Sequence, residues 1–515
     1  MALMEGNQPH SSVSTSPLEG PPMSTSTTSS SSTPLNRVKI IATLGPASAH
    51  AEVVKALLLS GVNVFRLNMS HSQLDLHRDN ILMVRRVAES LDLPVALLAD
   101  LQGPKIRTGS LKGLQPIPLI TGQTIHLSCA THESNPALIS TNSVELVDAL
   151  GPEMSVLIDD GNIELKVLER VDNKTVNCLI IQGGLLKDRK GINVPDANML
   201  IDALTEKDRL DALFALEMKI DYIALSFVQH ADDIKQLRTY INLLGYKAPP
   251  IIAKIEKPQA LKEIDAILDE SDGLMVARGD LGVELSPERV PVVQKELIDK
   301  ANRAEKPVIV ATQMLESMIN NIHPTRAEAS DVANAVFDGC DVVMLSGETA
   351  VGAHPVEVVR MMHKIIVEAE RHYDRFQVRH HESQHILSPN FYHAIAHSAC
   401  YAATKADVKA IVVLSNSGSM ARRISKLKPT RMIIALTPDP QVYNQLSLLW
   451  GVKPLLIPFG PNSDETINRG ESAILLHEFL QKGDSVVMCA GHTPFLGASN
   501  MLKIYDIGGE TSPKA

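Results

Sequence analysis

The stretch GLMVARGDLGVEL, Gly273 to Leu285, decides how the rest of the chain is read. An apolar run with the look of a buried strand breaks off at Arg278-Gly279-Asp280, an exposed-looking triplet. Such a triplet can be an adhesion signal, an ordinary turn or the rim of an active site. The choice depends on what the other strands end with.

Seven more runs share the design: VKIIATLGPAS from Val38, NVFRLNMSHS from Asn63, VALLADLQGPKIR from Val95, YIALSFVQ from Tyr222, IIAKIEKP from Ile251, VIVATQMLES from Val308 and VVMLSGET from Val342. Each is dense in Val, Ile, Leu and Met, as parallel strands buried on both faces require. The segments between most of them read as helices. LTEKDRLDALFALEMK places Leu210, Leu213 and Phe214 on one face, and PTRAEASDVANAVFDG opens with Pro324 and a Thr325/Glu328 capping box and ends near Gly339. Strand and helix alternating eight times predict an α/β fold, a (β/α)8 TIM barrel whose chemistry sits at the C-terminal strand ends.

The interval from Arg107 to Tyr222 breaks the rhythm. QTIHLSCA, MSVLIDDGNIELKVLE and KTVNCLIIQGG are strand-like, and Asp160-Gly161 between alternating apolar residues predicts a hairpin. We read an inserted small β-barrel lid domain over residues 105–190, with the TIM barrel spanning 37–104 and 191–384. From 385 to 515 the runs AIVVLS, RMIIALT, VKPLLIP, DSVVMCAG and MLKIYDIG predict a C-terminal open α/β domain. Residues 1–36 are low-complexity Ser/Thr/Pro sequence and are expected to be disordered. A transit peptide would carry Arg there rather than Glu5 and Glu19.

Composition narrows the function. With 59 acidic against 49 basic residues and a formal charge of -10, the chain lacks the basic footprint of general nucleic-acid binding. No apolar run approaches the ~18 residues of a membrane span. The five scattered cysteines, none spaced as CxxC, suit a reduced cytoplasmic protein and argue against an extracellular adhesion role for the triplet.

The strand ends supply Arg66, Asn68, Ser70 and His71; Asp100, Lys105 and Arg107; Lys254 and Glu256; Arg278 and Asp280; Thr312; and Ser346 and Glu348. One such charge is ordinarily a solvated rim residue, but a barrel projects all eight ends into one space. Glu256 and Asp280, from adjacent strands, suit Mg2+, which takes few protein oxygens beside substrate oxygens and water. Lys254 lies two residues before Glu256, on the same strand face. A metal flanked by Lys and Arg is what phosphoryl transfer needs. The rival reading, a Schiff-base lysine at Lys254, wants a neutral amine, whereas a neighbouring carboxylate favours the ammonium.

With TLGPAS, RLNMSHS, DLQGPKIRTG, KGINVP, AKIEKP, MVARGDLGVE, ATQMLESM and PTRAEASDVANAVFDGCDVVMLSGETA in this order, the chain resembles the pyruvate kinases from about Val38 to Ile507. The resemblance implies phosphate transfer from phosphoenolpyruvate to ADP, giving pyruvate and ATP with Mg2+ or Mn2+, as the last step of glycolysis. It implies that Lys254 stabilises the transferring group, that Glu256 and Asp280 hold the divalent metal and that Arg66 contacts the phosphate. Gly279, Asp280, Thr312 and Ser346 would line the substrate, with Thr312 on the side where the enolate is protonated. His71, Arg107 and Lys190 match nucleotide-side positions.

Members that need K+ hold it on residues matching Asn68, Ser70, Asp100 and the Leu101 carbonyl, and carry Glu where this chain has Lys105. DLQGPKIR resembles the branch in which a lysine ammonium replaces that cation, which implies activity without K+. The loop LSNSGSMARR keeps Ser415, Ser417, Gly418 and Ser419, able to cradle a phosphorylated effector of unknown identity, although it departs from the sugar-bisphosphate pattern. A homotetramer is implied by the resemblance alone.

Overall fold

The computed structural model describes residues 36–70, 73–195, 197, 202–373, 391–490 and 501–509. Residues 1–35, His71 and residues 491–500 therefore lie outside the described residues.

All eight expected strands form one closed parallel ring: β1 (Lys39–Thr43), β2 (Val62–Asn68), β3 (Ala96–Asp100), β4 (Tyr222–Leu225), β5 (Ile251–Ile255), β6 (Gly273–Ala277), β7 (Val308–Ala311) and β8 (Val342–Leu345). They pair in chain order, and β8 closes on β1 with Lys39 opposite Val342. Side chains of alternating parity fill the interior, Ile41, Val64, Leu98, Tyr222, Ile252, Met275, Ile309 and Met344 among them. The other parity packs outward under the helices.

Capping follows the sequence. The Thr325 hydroxyl accepts from the Glu328 amide at 3.2 Å, and Glu328 accepts from the Thr325 amide at 2.7 Å, starting the helix Arg326–Phe337. The helix Glu206–Glu217 has the same device in Thr205 and Asp208. Its apolar face differs from expectation: Phe214 is buried, but Leu210 is 62 % exposed, and Ala212, Ala215 and Leu216 take the inner positions.

The insertion is a curled six-stranded sheet in the order Ile192–Asn193, Ser155–Ile158, Ile163–Asp172, Thr175–Gln182, Thr124–Ser128, Leu138–Ser140. The expected hairpin is present, with Ile158 opposite Ile163 and Asp159, Asp160 and Gly161 all at positive φ in the turn. The sheet owns a separate apolar core that includes Leu127, Ile139, Val156 and Leu165. A helix absent from the sequence reading, Val144–Ala149, starts where the Ser143 hydroxyl accepts from the Leu146 amide.

The C-terminal strands form a five-stranded sheet in which the last, Met501–Asp506, runs antiparallel to Ser485–Ala490. A turn of this domain, Leu446–Leu448, closes the foot of the barrel: Leu448 joins the interior residues of β1 to β8, and the Tyr222 hydroxyl donates to the Gln445 carbonyl at 2.7 Å. The barrel is thus plugged at the N-terminal strand ends and open at the other. No described helix is long and apolar enough to cross a membrane.

Candidate active site

At the open end β2 and β3 finish side by side, with Asn68 opposite Asp100. Arg66 Nε lies 2.6 Å from Asp100 Oδ2, and its Nη1 donates to the Thr43 hydroxyl at 3.1 Å. On β5 the Lys254 ammonium sits 3.0 Å from Asp100 Oδ1, 2.9 Å from Glu256 Oε1 and 2.6 Å from the Ser226 hydroxyl. Asp100 and Glu256 are each 1 % exposed and Lys254 only 11 %, so the four charges form one dry cluster.

Electrostatics fix the charge states. Burial disfavours the Lys254 ammonium, yet Asp100 and Glu256 outweigh it and hold its pKa above the ordinary lysine value. Burial likewise works to raise Asp100, but Lys254 and Arg66 keep it below the usual carboxylate range. Glu256 goes the other way: burial raises it and the Asp280 charge adds to that, against the pull of Lys254. A lysine held as its ammonium is unsuited to Schiff-base formation, which disfavours that rival reading of Lys254.

The opening triplet differs from its sequence reading. The strand stops at Ala277, and Arg278 begins a short helix, Arg278–Glu284. Arg278 is buried rather than exposed and turns away from solvent to Asp331, at 2.7 Å. Gly279 approaches not open space but Thr312: a Cβ there would lie 3.3 Å from the Thr312 hydroxyl. The Gly279 amide donates to that hydroxyl at 2.7 Å. Asp280 faces the cleft under the insertion, where Lys105 Nζ is 3.7 Å from its Oδ1. The cleft is lined by Lys105, Ile192, Asn193, Phe227, Lys257 and Asp280.

The remaining candidates are placed as follows. The Ser70 amide donates to Asn68 Oδ1 at 3.1 Å, and the Leu101 carbonyl accepts from the Ser226 hydroxyl at 2.6 Å. The Lys105 ammonium therefore reaches toward Asp280, while Asp100 is paired by Arg66 and Lys254. The Ser346 hydroxyl is buried with no hydrogen-bond partner among the described residues, as a ligand-facing group would be. Glu348 is instead occupied, accepting from the Ser346 and Leu315 amides. At the base of the insertion Arg107 and Lys190 are brought close, since the Thr108 amide donates to the Lys190 carbonyl at 2.7 Å. Lys190 Nζ pairs with Asp159 at 2.7 Å, and the Arg107 guanidinium reaches the Arg189 carbonyl. In the C-terminal domain Gly418, at φ +71°, caps the helix Ser419–Lys426, and Ser417 donates to the Ser419 hydroxyl at 3.1 Å. Ser415 is buried beneath that loop.

Two contributors escaped the sequence reading. Ser226 bridges Lys254 and the Leu101 carbonyl, and the Phe227 amide donates to Glu256 Oε2 at 2.7 Å from a left-handed backbone, φ +54°. Their signal was position alone, within the fourth quoted run and just past the end of β4.

A buried ammonium between carboxylates, with an arginine alongside and a second acid facing the cleft, can neutralise a transferring anionic group. Comparison with known proteins bears on which group that is. The family description "Pyruvate kinase, barrel domain" matches residues 35–359, and "Pyruvate kinase, alpha/beta domain" matches residues 393–505. The chain is 42 % identical over 472 residues to pyruvate kinase 2 of Synechocystis sp., covering 91 % of this chain and 79 % of that protein. It is 40 % identical over 481 residues to a pyruvate kinase of Staphylococcus aureus, covering 92 % and 81 %. A crystal structure of a pyruvate kinase from Cryptosporidium parvum superposes with a TM-score of 0.84 at 35 % identity, covering 92 % of this chain and 96 % of that one.

Proposed function

Since the chain belongs to the pyruvate kinase family and is a phosphotransferase, we propose that its barrel mouth moves the phosphoryl group of phosphoenolpyruvate to ADP with Mg2+ as the divalent ion. The observation that carries this reading is the Lys254 ammonium, fixed 3.0 Å from Asp100 and 2.9 Å from Glu256 at the open strand ends. A fixed cation there opposes the charge that spreads over the transferring oxygens, at no cost in reorganisation.

The donor set fits a magnesium or manganese ion. Glu256 and Asp280 are close enough for the Asp280 charge to raise the Glu256 pKa, a repulsion that a divalent cation between them relieves. Among the described residues no group of three acids, histidines or cysteines is gathered as a metal cage. Two carboxylates with substrate and water oxygens completing the shell are the arrangement Mg2+ prefers. When bound, the ion supplies charge neutralisation between substrate oxygens.

The chain's own residues do the rest. Arg66, held by Asp100 and Thr43, aims a guanidinium at the phosphate. Gly279, Asp280 and the unpartnered Ser346 hydroxyl line the carboxylate and enolate side, and Thr312 serves the proton delivered to the enolate carbon. Arg107, Lys190 and His71 form the nucleotide side. The insertion covers the cleft as a lid, which excludes water from the reacting groups. Lys105 supplies a fixed cation at the edge of the metal site in place of K+. The Ser415–Ser419 loop takes a phosphorylated effector, and the assembled enzyme is a cytoplasmic homotetramer.

The test is pyruvate formation from phosphoenolpyruvate and ADP with Mg2+, in tetramethylammonium buffer without K+ and again after K+ is added. Equal activity in both, lost with EDTA, is expected. Activity only with K+ keeps the kinase and removes Lys105 from the cation role; no activity in either buffer sinks the whole reading. Lys105→Glu sharpens the test, since it places a second negative charge beside Asp280. K+ should then raise activity by about tenfold or more, because a charge ~4 Å away acts at the scale of several kcal/mol before screening.

A further inference from the structure

Thr312 and Gln313, directly after β7, both have left-handed backbones, φ +68° and +54°. Consecutive non-glycine residues in that region are uncommon, and a β-branched one is a true outlier that its surroundings must hold in place. Most of the grip on the two carbonyls comes from one side chain. Arg278 Nη2 donates to the Thr312 carbonyl at 2.8 Å and to the Gln313 carbonyl at 3.2 Å, and Nε reaches the Thr312 carbonyl at 3.3 Å. The guanidinium is fixed in turn by Asp331, at 2.7 Å, and by Gln294 Oε1, at 3.3 Å. The residue after Arg278 completes the grip, as the Gly279 amide donates to the Thr312 hydroxyl at 2.7 Å.

We infer that Arg278 is a positioning residue for the proton-transfer half of the reaction: by clamping the Thr312 and Gln313 carbonyls it holds the strained turn that aims the Thr312 hydroxyl. This rests on the assignment of Thr312 to enolate protonation. The clamp needs the planar fork of arginine, because three acceptors and Asp331 must be met at once, which a lysine ammonium on a flexible stem does not do. Asp331 stands on the helix Arg326–Phe337, so that helix anchors the clamp from outside the mouth.

Two rates separate the clamp from general damage. One is ATP formation from phosphoenolpyruvate and ADP. The other is deuterium exchange into the methyl group of pyruvate in D2O with Mg-ATP, followed by proton NMR, which reports enolate protonation in reverse. Arg278→Lys should lower the exchange by about 100-fold, the cost of misplacing a reacting group by an ångström. ATP formation and the KM for phosphoenolpyruvate should change much less. Asp331→Asn should give the same pattern at about tenfold. The decisive variant adds Gln313→Gly to Arg278→Lys. Glycine takes positive φ without strain, so exchange should recover at least in part.

Equal losses of both rates without recovery in the double variant would show Arg278 to be merely structural, and unchanged exchange would remove it from the reaction altogether. If Arg278→Lys fails to fold, Asp331→Asn with and without Gln313→Gly carries the same comparison. Wild-type protein that makes no ATP overturns the phosphotransfer reading beneath this one. Thr312→Ala losing both rates equally overturns the Thr312 assignment on which the clamp depends.

Discussion

The mouth and the foot of the barrel both bury aspartates beside cations, yet they use them differently. At the foot, Asp221, Asp272 and Asp341 immediately precede β4, β6 and β8, and each accepts from a backbone amide at or beside the start of the neighbouring strand: Leu97 at 2.7 Å, Ile251 at 2.9 Å and Val308 at 2.8 Å. Each also holds a basic side chain, Arg85, Arg238, or the lysine pair Lys426 and Lys428. These acids satisfy donors the barrel cannot otherwise pair, which is a structural task. At the mouth, Asp100 is held by the side chains of Arg66, Lys254 and Ser226, and Asp280, among the described residues, has its ion pair with a distant Lys105 ammonium. Asp100 thus orients the two cations, and Asp280, one-third exposed, keeps coordination capacity for a ligand. The type of partner, rather than the residue type, separates function from scaffold.

Replacing Lys254 by Met tests the mouth most severely. On the proposed role it removes the cation that faces the transferring group, so kcat should fall by about 1000-fold, the upper range for losing one oriented electrostatic contact. The KM for phosphoenolpyruvate should change far less, and steady-state kinetics read both. Near-normal kcat in folded protein would mean that the Lys254 cluster is another foot-like scaffold. Removing one partner also leaves Glu256 buried beside Asp280 without its lysine, so a lower melting temperature should accompany the loss.

Leu448→Ala asks the complementary question at the foot. The side chain is fully buried among interior residues of the barrel. Truncation should cost about 3 kcal/mol in urea unfolding, from lost transfer energy and the cavity left behind. Below the melting temperature, kcat should stay within about twofold, since the plug lies at the opposite end from the chemistry. A large loss of kcat in folded Leu448→Ala protein would join the two ends into one functional unit.

How much of this contrast was legible beforehand follows from the physics of each element. The eight strands could be read because strands buried on both faces must be continuous apolar runs. Arg66, Asp100, Lys254 and Glu256 could be read because charge in or just after the C-terminal part of such a run has no place in a core. Ser226 and the Phe227 amide could not, since a hydroxyl and a backbone N–H leave no charge signature in sequence. Arg278 was read as exposed because its partner, Asp331, is remote in sequence and only the packing of the helix Arg326–Phe337 brings them together. Leu448 lies in the apolar run of Leu446 to Trp450, which would suit any domain interior. That it plugs another domain's barrel is tertiary information. The same holds for the order of strands in the insertion, where short segments pair out of sequence order.

Lys39 carries the contrast into pH dependence with the smallest expected effect. It opens β1 at the foot, 3 % exposed, with its ammonium donating to the Val452 carbonyl at 2.9 Å. Burial first and the neighbouring Lys453 second bring its pKa down to about 7, with Glu370 opposing. In the unfolded chain it returns to the ordinary lysine value, near 10.4. Between those values the unfolded state binds a proton that the folded state does not, so raising the pH across this window favours folding. Below about pH 7 both states are protonated and the cost of burying the charge is fully present. Lys39→Met removes the group, so its stability relative to wild type should be highest at and below pH 7 and shrink toward pH 10, by about 1.4 kcal/mol per pH unit at most. Urea midpoints of both proteins at successive pH values measure this difference while cancelling the titrations they share. Parallel curves would mean that Lys39 keeps its proton in the fold, and that the foot tolerates buried charge as readily as the mouth.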